Sequence, residues 1–232
     1  MRYFLNRLVQ FMLVFVVVTF VTMAATRIGS EDPVRDLAGG TVSDAQIEQV
    51  LEDYPYLEKP LVVQYFYWLG DFFSGDLGYS YSQSQSGADM FKQRLPPTIF
   101  IGFWAIFIGL LVAVPVGVYS AYRRNGVFDK SASMTSFAAI STPPLVVAVA
   151  LLYLVVSRFA IFPTVGASDY VAPWDNPWEH FRNFFIPALA LGIGLAGIWS
   201  RFLRADMNLT LQSDYIMLAK AKGVPPSRVL WG

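Results

Sequence analysis

The last stretch of the chain, DYIMLAKAKGVPPSRVLWG from Asp214 to Gly232, holds its densest pattern of charged and conformationally special residues. Nothing in that spacing pairs a nucleophile with a base, so the chemistry it can do is mechanical. Asp214 sits near a helix start, and Lys220 and Lys222 near its end, each favourable against the helix dipole. Ala219 and Ala221 are small and good helix formers. Gly223 suits the left-handed residue after a helix. Pro225 and Pro226 follow, and proline is tolerated in a first helical turn. The reading is a helix, a glycine break, then a second helix from about Pro226 through Ser227, Arg228, Val229 and Leu230. Such an elbow, with small residues on it, lets a partner approach closely. On these residues alone an ordinary connecting loop is equally open.

Other chemistries are excluded by residues that are missing. There is no cysteine, which removes a disulfide framework, a thiolate metal site and a cysteine nucleophile. A single histidine, His180, rules out a multi-histidine metal cluster and reads as a hydrogen-bonded surface residue. No Gly-x4-Gly-Lys-Ser/Thr loop occurs, so ATP is not bound by that route. Gly-x-Ser-x-Gly and His-Glu-x-x-His are absent too. No metal, cofactor or catalytic residue is assigned. Formal net charge is zero, so nothing global points to nucleic acid.

The elements that position the elbow are membrane spans. Of 232 residues 55% are hydrophobic and 15% charged, with mean hydropathy +0.45, outside the soluble range. Four apolar runs, Leu8–Ala25, Thr98–Tyr122, Met134–Val156 and Phe184 to about Trp199, contain no Asp, Glu, Lys or Arg. Each approaches the ~17–25 residues a helix needs to cross the hydrocarbon layer. The expected spans are about 8–27, 98–122, 134–157 and 184–203. Arg2 and Arg7 before the first run also fit a cleavable signal peptide. The run is long for one and no Ala-x-Ala site follows, so an uncleaved span is the better reading. No carboxylate or histidine falls inside the four spans as drawn, although ion-coupled carriers use such groups.

Charge sets the orientation. With the N-terminus inside, the cytoplasmic side holds ten basic residues, among them Arg2, Arg7, Arg123, Arg124, Arg204, Lys220, Lys222 and Arg228, against Asp129, Asp206 and Asp214. The outer side holds seven basic residues and the remaining fourteen acids. The short Arg123–Arg124 loop and the basic tail satisfy the positive-inside rule. Loops 28–97 and 158–183 then lie outside and 204–232 inside. In the first outer loop, Ser43 reads as an N-cap for a helix with Ile47, Val50 and Leu51 on one face. Leu61–Phe73 is too short to span and is rich in Tyr and Trp. It suits the membrane boundary, or simple packing against the spans. Gly75–Gly87 reads as a loop, and Pro96 and Pro97 as the opening of the second span. Trp174–Pro187 reads as a second interfacial aromatic segment. Thr142-Pro143-Pro144 breaks the ladder of the third span, so Pro143 and Pro144 mark either a gate or a static bend.

With these residues in view, the chain resembles the permease subunits of ATP-binding-cassette importers, specifically the first-permease type of the dipeptide/oligopeptide/nickel group. The superfamily's EAA loop, Glu-Ala-Ala-x-x-x-Gly, takes in this group a form like Asp-Tyr-x-x-x-Ala-x-Ala-Lys-Gly. Asp214, Tyr215, Ala219, Ala221, Lys222 and Gly223 match it. Met217 and Leu218 replace the Glu and first Ala, and Pro225 stands where a capping Ser or Asp is frequent. Further matches run in order along the chain. They are the MRYFLNRLVQ opening, Asp32-Pro33, Lys59-Pro60, Gln64-Tyr65, Trp68-Leu69, Gly75-Asp76-Leu77-Gly78-Tyr79-Ser80, Arg94-Leu95-Pro96-Pro97-Thr98, Phe162-Pro163 and Ile186-Pro187-Ala188-Leu189.

The resemblance implies an all-α polytopic membrane protein, a type I importer transmembrane domain, here one permease domain over 1–232. Six spans would be usual and four are present, so the chain is expected to be C-terminally truncated at Gly232. It further implies a bacterial or archaeal cell membrane, a second homologous permease, two ATPases that carry ATP and Mg, and an extracytoplasmic solute-binding protein. The cargo would be peptides or related small solutes, including nickel chelates. The coupling residues would be Asp214, Tyr215, Ala219, Ala221, Lys222, Gly223, Val224 and Arg228. Gly75, Asp76, Leu77 and Gly78, with Trp174 and Trp178, are expected extracytoplasmic contacts, lipid-facing packing being the other reading. The rival class is a secondary carrier or channel not driven by ATP.

Overall fold

The computed structural model describes residues 2–27, 34–35, 43–80, 83–156, 158, 162–163 and 170–231. Asp32-Pro33 and Gly232 lie outside the described residues. The chain divides into two compact units, Met1–Arg94 and Leu95–Gly232.

The first unit opens with helix α1, Arg2–Arg27, which has no buried residue. Its threonines return their hydroxyl protons to the helix, Thr19 to the Phe15 carbonyl at 2.7 Å and Thr22 to Val18 at 2.8 Å. This is how a hydroxyl is satisfied in hydrocarbon. Helix α2, Asp44–Asp53, has the expected Ser43 cap, and Gln46 completes a capping box. Val50 is buried against Val34, Ile47, Tyr54 and Leu57. A 3₁₀ turn, Pro55–Glu58, leads to α3, Leu61–Ser74. On α3 Gln64 donates to the Leu57 and Lys59 carbonyls at 2.7 and 2.6 Å. Tyr65 reaches α1, its hydroxyl 2.9 Å from Thr19 Oγ1 and its ring edge-on to Phe20. Thus α3 packs on the first span with Tyr65 while Phe66 and Phe73 stay exposed.

Gly75 ends α3 in the left-handed conformation, with its own N–H on Phe72 O and the Asp76 N–H on Asp71 O. Gly78 has φ +79°, and its N–H donates to Asp76 Oδ1 at 2.8 Å. Strands β1 (Tyr79–Ser80) and β2 (Gln85–Ser86) then pair antiparallel. A Cβ on Gly87 would lie 2.5 Å from the Leu77 carbonyl oxygen. The Gly/Ser stretch is therefore a built hairpin rather than the plain loop its composition suggested.

Helix α4 runs Gly87–Tyr122. It starts well before Pro96 and Pro97, which overturns their reading as the opening of the span. Ser86 Oγ accepts from the Asp89 N–H at 3.1 Å and donates to the Asp89 carboxylate at 2.9 Å. That cap fixes the start, and the prolines only delete two hydrogen bonds inside the helix.

In the second unit the later part of α4 presents Ala105, Gly109, Ala113, Gly117 and Ala121, one small residue per turn, all buried. Helix α7, Pro177–Thr210, answers with buried Ala188, Gly192, Ala196 and Ser200. A Cβ on Gly109 would meet Leu195 Cβ and Trp199 at 3.0 Å, and one on Gly117 would meet Leu203 Cβ and Ser200 O at 3.0 Å. Lipid tails are as apolar as leucine, so apolar contact alone does not drive spans together. Backbones brought close by small residues do, through packing. Helix α5, Val127–Ser141, joins the same core, where Ser136 and Ser200 share a buried hydrogen bond at 3.1 Å. A Cβ on Gly197 would stand 3.0 Å from the Ser136 carbonyl.

Past α5 the chain breaks. Thr142 is extended and Pro143 leads into α6, Pro144–Leu151, then a π-helical turn, Leu152–Val156. The segments on either side are bent by 101°. The expected kink is a full break, because Pro143 holds Thr142 out of the α region. By length and composition α1, α4 and α7 can each cross a membrane, and the bent pair makes a fourth span if counted as one.

At the α4–α5 turn, Asp129 is buried at 2% exposure. Arg204 on α7 grips it with Nε on Oδ1 and Nη2 on Oδ2, the latter at 2.7 Å. The Asn125 N–H adds a bond to Oδ2 at 2.9 Å.

Two predictions follow from this core. Gly117→Leu should lower stability by about 1–3 kcal/mol through overpacking, while Gly102→Leu, with open space around it, should be near neutral. Thermal melts of both variants in detergent would compare them, and equal melting points would defeat the close-packing account. Asp129→Ala should cost about 2–3 kcal/mol by stranding Arg204 and the Asn125 N–H. A double-mutant cycle with Arg204→Gln should then show strong coupling; additive losses would show that the pair does not hold the turn.

Candidate functional site

The elbow is built from the end of α7 upward. After Thr210, Ser213 Oγ donates to the Thr210 carbonyl at 2.6 Å, and the Ile216 and Met217 N–H groups bond to Ser213 O. Ser213 is thus the backbone N-cap of α8, Asp214–Ala221, with no side-chain cap. Asp214 in the first turn and Lys220 in the last match the dipole.

Gly223 has φ +79° with nothing within 4 Å of an added Cβ. Backbone geometry, not space, requires glycine there. The Gly223 N–H bonds to Lys220 O at 3.0 Å and the Val224 N–H to Ala219 O at 3.2 Å, the two bonds of a Schellman stop. The expected glycine break is present in that form. Helix α9, Pro226–Trp231, starts on the Pro225 carbonyl, which accepts from Arg228 and Val229. Pro226, at the first helical position, has no N–H of its own to satisfy.

The elbow has two faces. Ile216, Ala219, Val224, Val229 and Leu230 are half-buried. Tyr215, Met217, Leu218 and Trp231 are each more than half exposed, beside exposed Asp214, Lys220, Ala221, Lys222 and Arg228. A surface of apolar and basic side chains on two short helices at a fixed angle can receive a partner's cleft. The surface holds no reacting group. Among the described residues no cluster could hold a metal ion.

The other expected site residues lie elsewhere. In the first unit Gly75, Asp76, Leu77 and Gly78 shape the turn into the hairpin. In the second, Trp174 and Trp178 are exposed at 75% and 57% near the start of α7, whereas the elbow follows its end. Those 34 residues span about 51 Å at 1.5 Å per residue, so the two features lie at opposite ends of one membrane-length helix. Pro143 and Pro144 form the break between α5 and α6.

Three features were not read from the sequence. The Asp129–Arg204 fork joins residues taken only as loop charges; a lone Asp in an otherwise basic short loop was the available signal. The small-residue stripes repeat every fourth position and were legible. His180 is buried at 2%, not on the surface. Its Nδ1 donates to the Val171 carbonyl at 2.8 Å and its Nε2 accepts the Trp104 indole N–H at 3.1 Å. Phe100 and Phe184 close around it, making it a rivet between α4, α7 and the segment before α7.

Comparison with known proteins agrees with this architecture. The family described as "Binding-protein-dependent transport system inner membrane component" matches residues 113–232. Its companion, "Binding-prot-dependent transport system membrane comp, N-term", matches 1–102. A putative peptide permease protein of Brucella suis is 31% identical over 97% of this chain and 70% of its own length. The dipeptide transport system permease protein DppB of Bacillus subtilis is 29% identical over 99% of this chain and 70% of its own. A probable D,D-dipeptide transport system permease of Escherichia coli is 29% identical over 90% and 66%. With two family matches that both run into α4 and together cover nearly the whole chain, and helices of membrane length carrying them, the chain belongs to the inner-membrane permease components of binding-protein-dependent ABC importers.

Proposed function

We propose that this permease forms, with a second homologous permease, the path by which peptides or related small solutes enter the cell. An extracytoplasmic binding protein delivers the solute, and two separate ATPase subunits, which carry ATP and Mg, drive the cycle. The chain itself binds no cofactor. The relatives named for peptides and dipeptides favour that cargo over nickel chelates.

The observation that carries this reading is the elbow. The Schellman stop at Gly223 fixes the angle between α8 and α9, and their exposed apolar and basic face is the part a moving ATPase would hold. On this reading Asp214, Tyr215, Ala219, Ala221, Lys222, Gly223, Val224 and Arg228 form the coupling surface. ATP-driven closure pulls the elbow. α7 is continuous from Pro177 to Thr210, and Arg204 ties its inner end to Asp129 on α5. Displacement of the elbow is then passed to two helices together, which suits a two-state rocking of the spans. Pro143 and Pro144 are the proposed point of bending, and the Gly75–Gly78 turn with Trp174 and Trp178 are the proposed contacts on the outer side. The bias of basic residues supports an orientation with the N-terminus and the elbow in the cytoplasm. A secondary carrier or channel is the competing class; it would need no ATPase.

Coupling is tested by uptake of a labelled dipeptide into vesicles holding this chain with its partner subunits. Gly223→Val forces a β-branched residue to positive φ and should reduce ATP-dependent uptake to background while leaving insertion intact. Uptake at the wild-type rate in that variant, or uptake without ATPases, would remove the coupling role. Because the chain has no cysteine, Lys220→Cys and Tyr79→Cys give clean single labels. A membrane-impermeant maleimide on intact cells should modify Cys at 79 and spare Cys at 220; the reverse pattern would invert the orientation.

A further inference from the structure

Arg27, the last residue of α1, has two buried guanidinium donors, Nε and Nη2, with no hydrogen-bond partner among the described residues. A guanidinium at a helix C-terminus is favoured by the dipole, but that leaves these two N–H groups unexplained. Nε and Nη2 form the side-on fork of arginine, spaced to meet two oxygens of a phosphate or carboxylate at once. The same two atoms of Arg204 grip the two oxygens of Asp129.

Arg27 lines a cavity of about 330 Å³ within the first unit. Met23, Leu57 and Trp68 are its apolar lining, and Thr19, Thr22, Thr26 and Tyr56 its hydroxyl lining. Those hydroxyl protons are already committed: Thr19 to Phe15 O at 2.7 Å, and Thr22 to Val18 O, Thr26 to Met23 O and Tyr56 to Asp71 Oδ2, each at 2.8 Å. Burial and that Asp71 bond push the Tyr56 phenol above its usual range, so it keeps its proton at ordinary pH. Among the described residues that line it none is acidic and Arg27 is the one cation, so the ligand that fits is an oxyanion with an apolar body.

Position selects among oxyanions. α1 is 26 residues long and of high hydropathy, with most of its residues exposed, so its face away from α3 meets lipid and its end lies at headgroup depth. Tyr56 and Trp68 are residues of that boundary. We propose that Arg27 and this cavity bind the phosphate of a phospholipid headgroup, with Met23, Leu57 and Trp68 against its glycerol and upper acyl carbons.

The test is native mass spectrometry of the purified chain in a phosphate-free maltoside, titrated with dioctanoyl phosphatidylglycerol. Dioctanoylglycerol, Ala-Ala and Ala-Ala amide serve as comparison ligands. The wild type should retain the phospholipid and not the diacylglycerol. Arg27→Gln should weaken retention about 10- to 100-fold, the value of a charge-assisted pair. Arg27→Lys, which keeps the charge but loses the fork, should fall between. Leu57→Trp, which fills the cavity and leaves Arg27 in place, should also weaken it and serves if the Arg27 variants do not insert. Equal retention by wild type and Leu57→Trp, or equal binding of the diacylglycerol, overturns the site. Binding of Ala-Ala but not its amide, lost in Arg27→Gln, overturns the lipid assignment in favour of a peptide carboxylate.

Discussion

A carboxylate taken out of water has to be answered by a fixed cation, and at the elbow end of the second unit that requirement organises its surroundings. Asp129 sits at the start of α5 with its two oxygens held by Arg204 and the Asn125 N–H. Three pieces of chain thereby share one charge: the turn after α4, the first turn of α5, and α7 six residues before it ends. A pair of this kind contributes little net stability against an apolar substitute, but it is costly to break. Its value here is positional. The elbow follows α7 directly, so its attitude depends on where Arg204 is held.

Away from that charge, packing is governed by size. α4 and α7 meet through Ala105, Gly109, Ala113 and Gly117 on one side and Ala188, Gly192, Ala196 and Ser200 on the other. Contacts at 3.0 Å from a hypothetical Cβ would admit a methyl group only if its neighbours gave by a few tenths of an ångström. Polar groups at this depth are few and paired, as Ser136 with Ser200 and His180 with Trp104 and Val171. The exception among the described residues is the buried Ser120 hydroxyl, which has no partner.

Much of this was legible in the residues. Apolar runs gave the long helices because a span must be both apolar and helical. Ser43 with Gln46, and Gly223 before Pro225 and Pro226, announced their caps through local backbone chemistry. What escaped was set by distant contacts or by competition between local signals. Pro96 and Pro97 look like a helix start, but Ser86 and Asp89 capped an earlier one. His180 looks exposed among charged neighbours, yet Trp104, 76 positions away, supplies its bond. The Asp129–Arg204 pair is separated by 75 positions, and no sequence periodicity connects them. The angle between α5 and α6 was legible only as a bend, since proline dictates what its predecessor cannot do rather than where the next helix points.

That break between α5 and α6 can be restated as a count of amide hydrogens. A helix beginning inside a bilayer ordinarily presents four N–H groups with no acceptor, each expensive in hydrocarbon. Here the cap, Pro143, and the first helical residue, Pro144, have none to present. Val146 and Val147 donate to the Pro143 carbonyl, which leaves the Leu145 amide to be met. Two adjacent prolines thus make an interrupted helix tolerable in hydrocarbon, where two glycines, equally able to bend the chain, would leave three donors to be met in place of one.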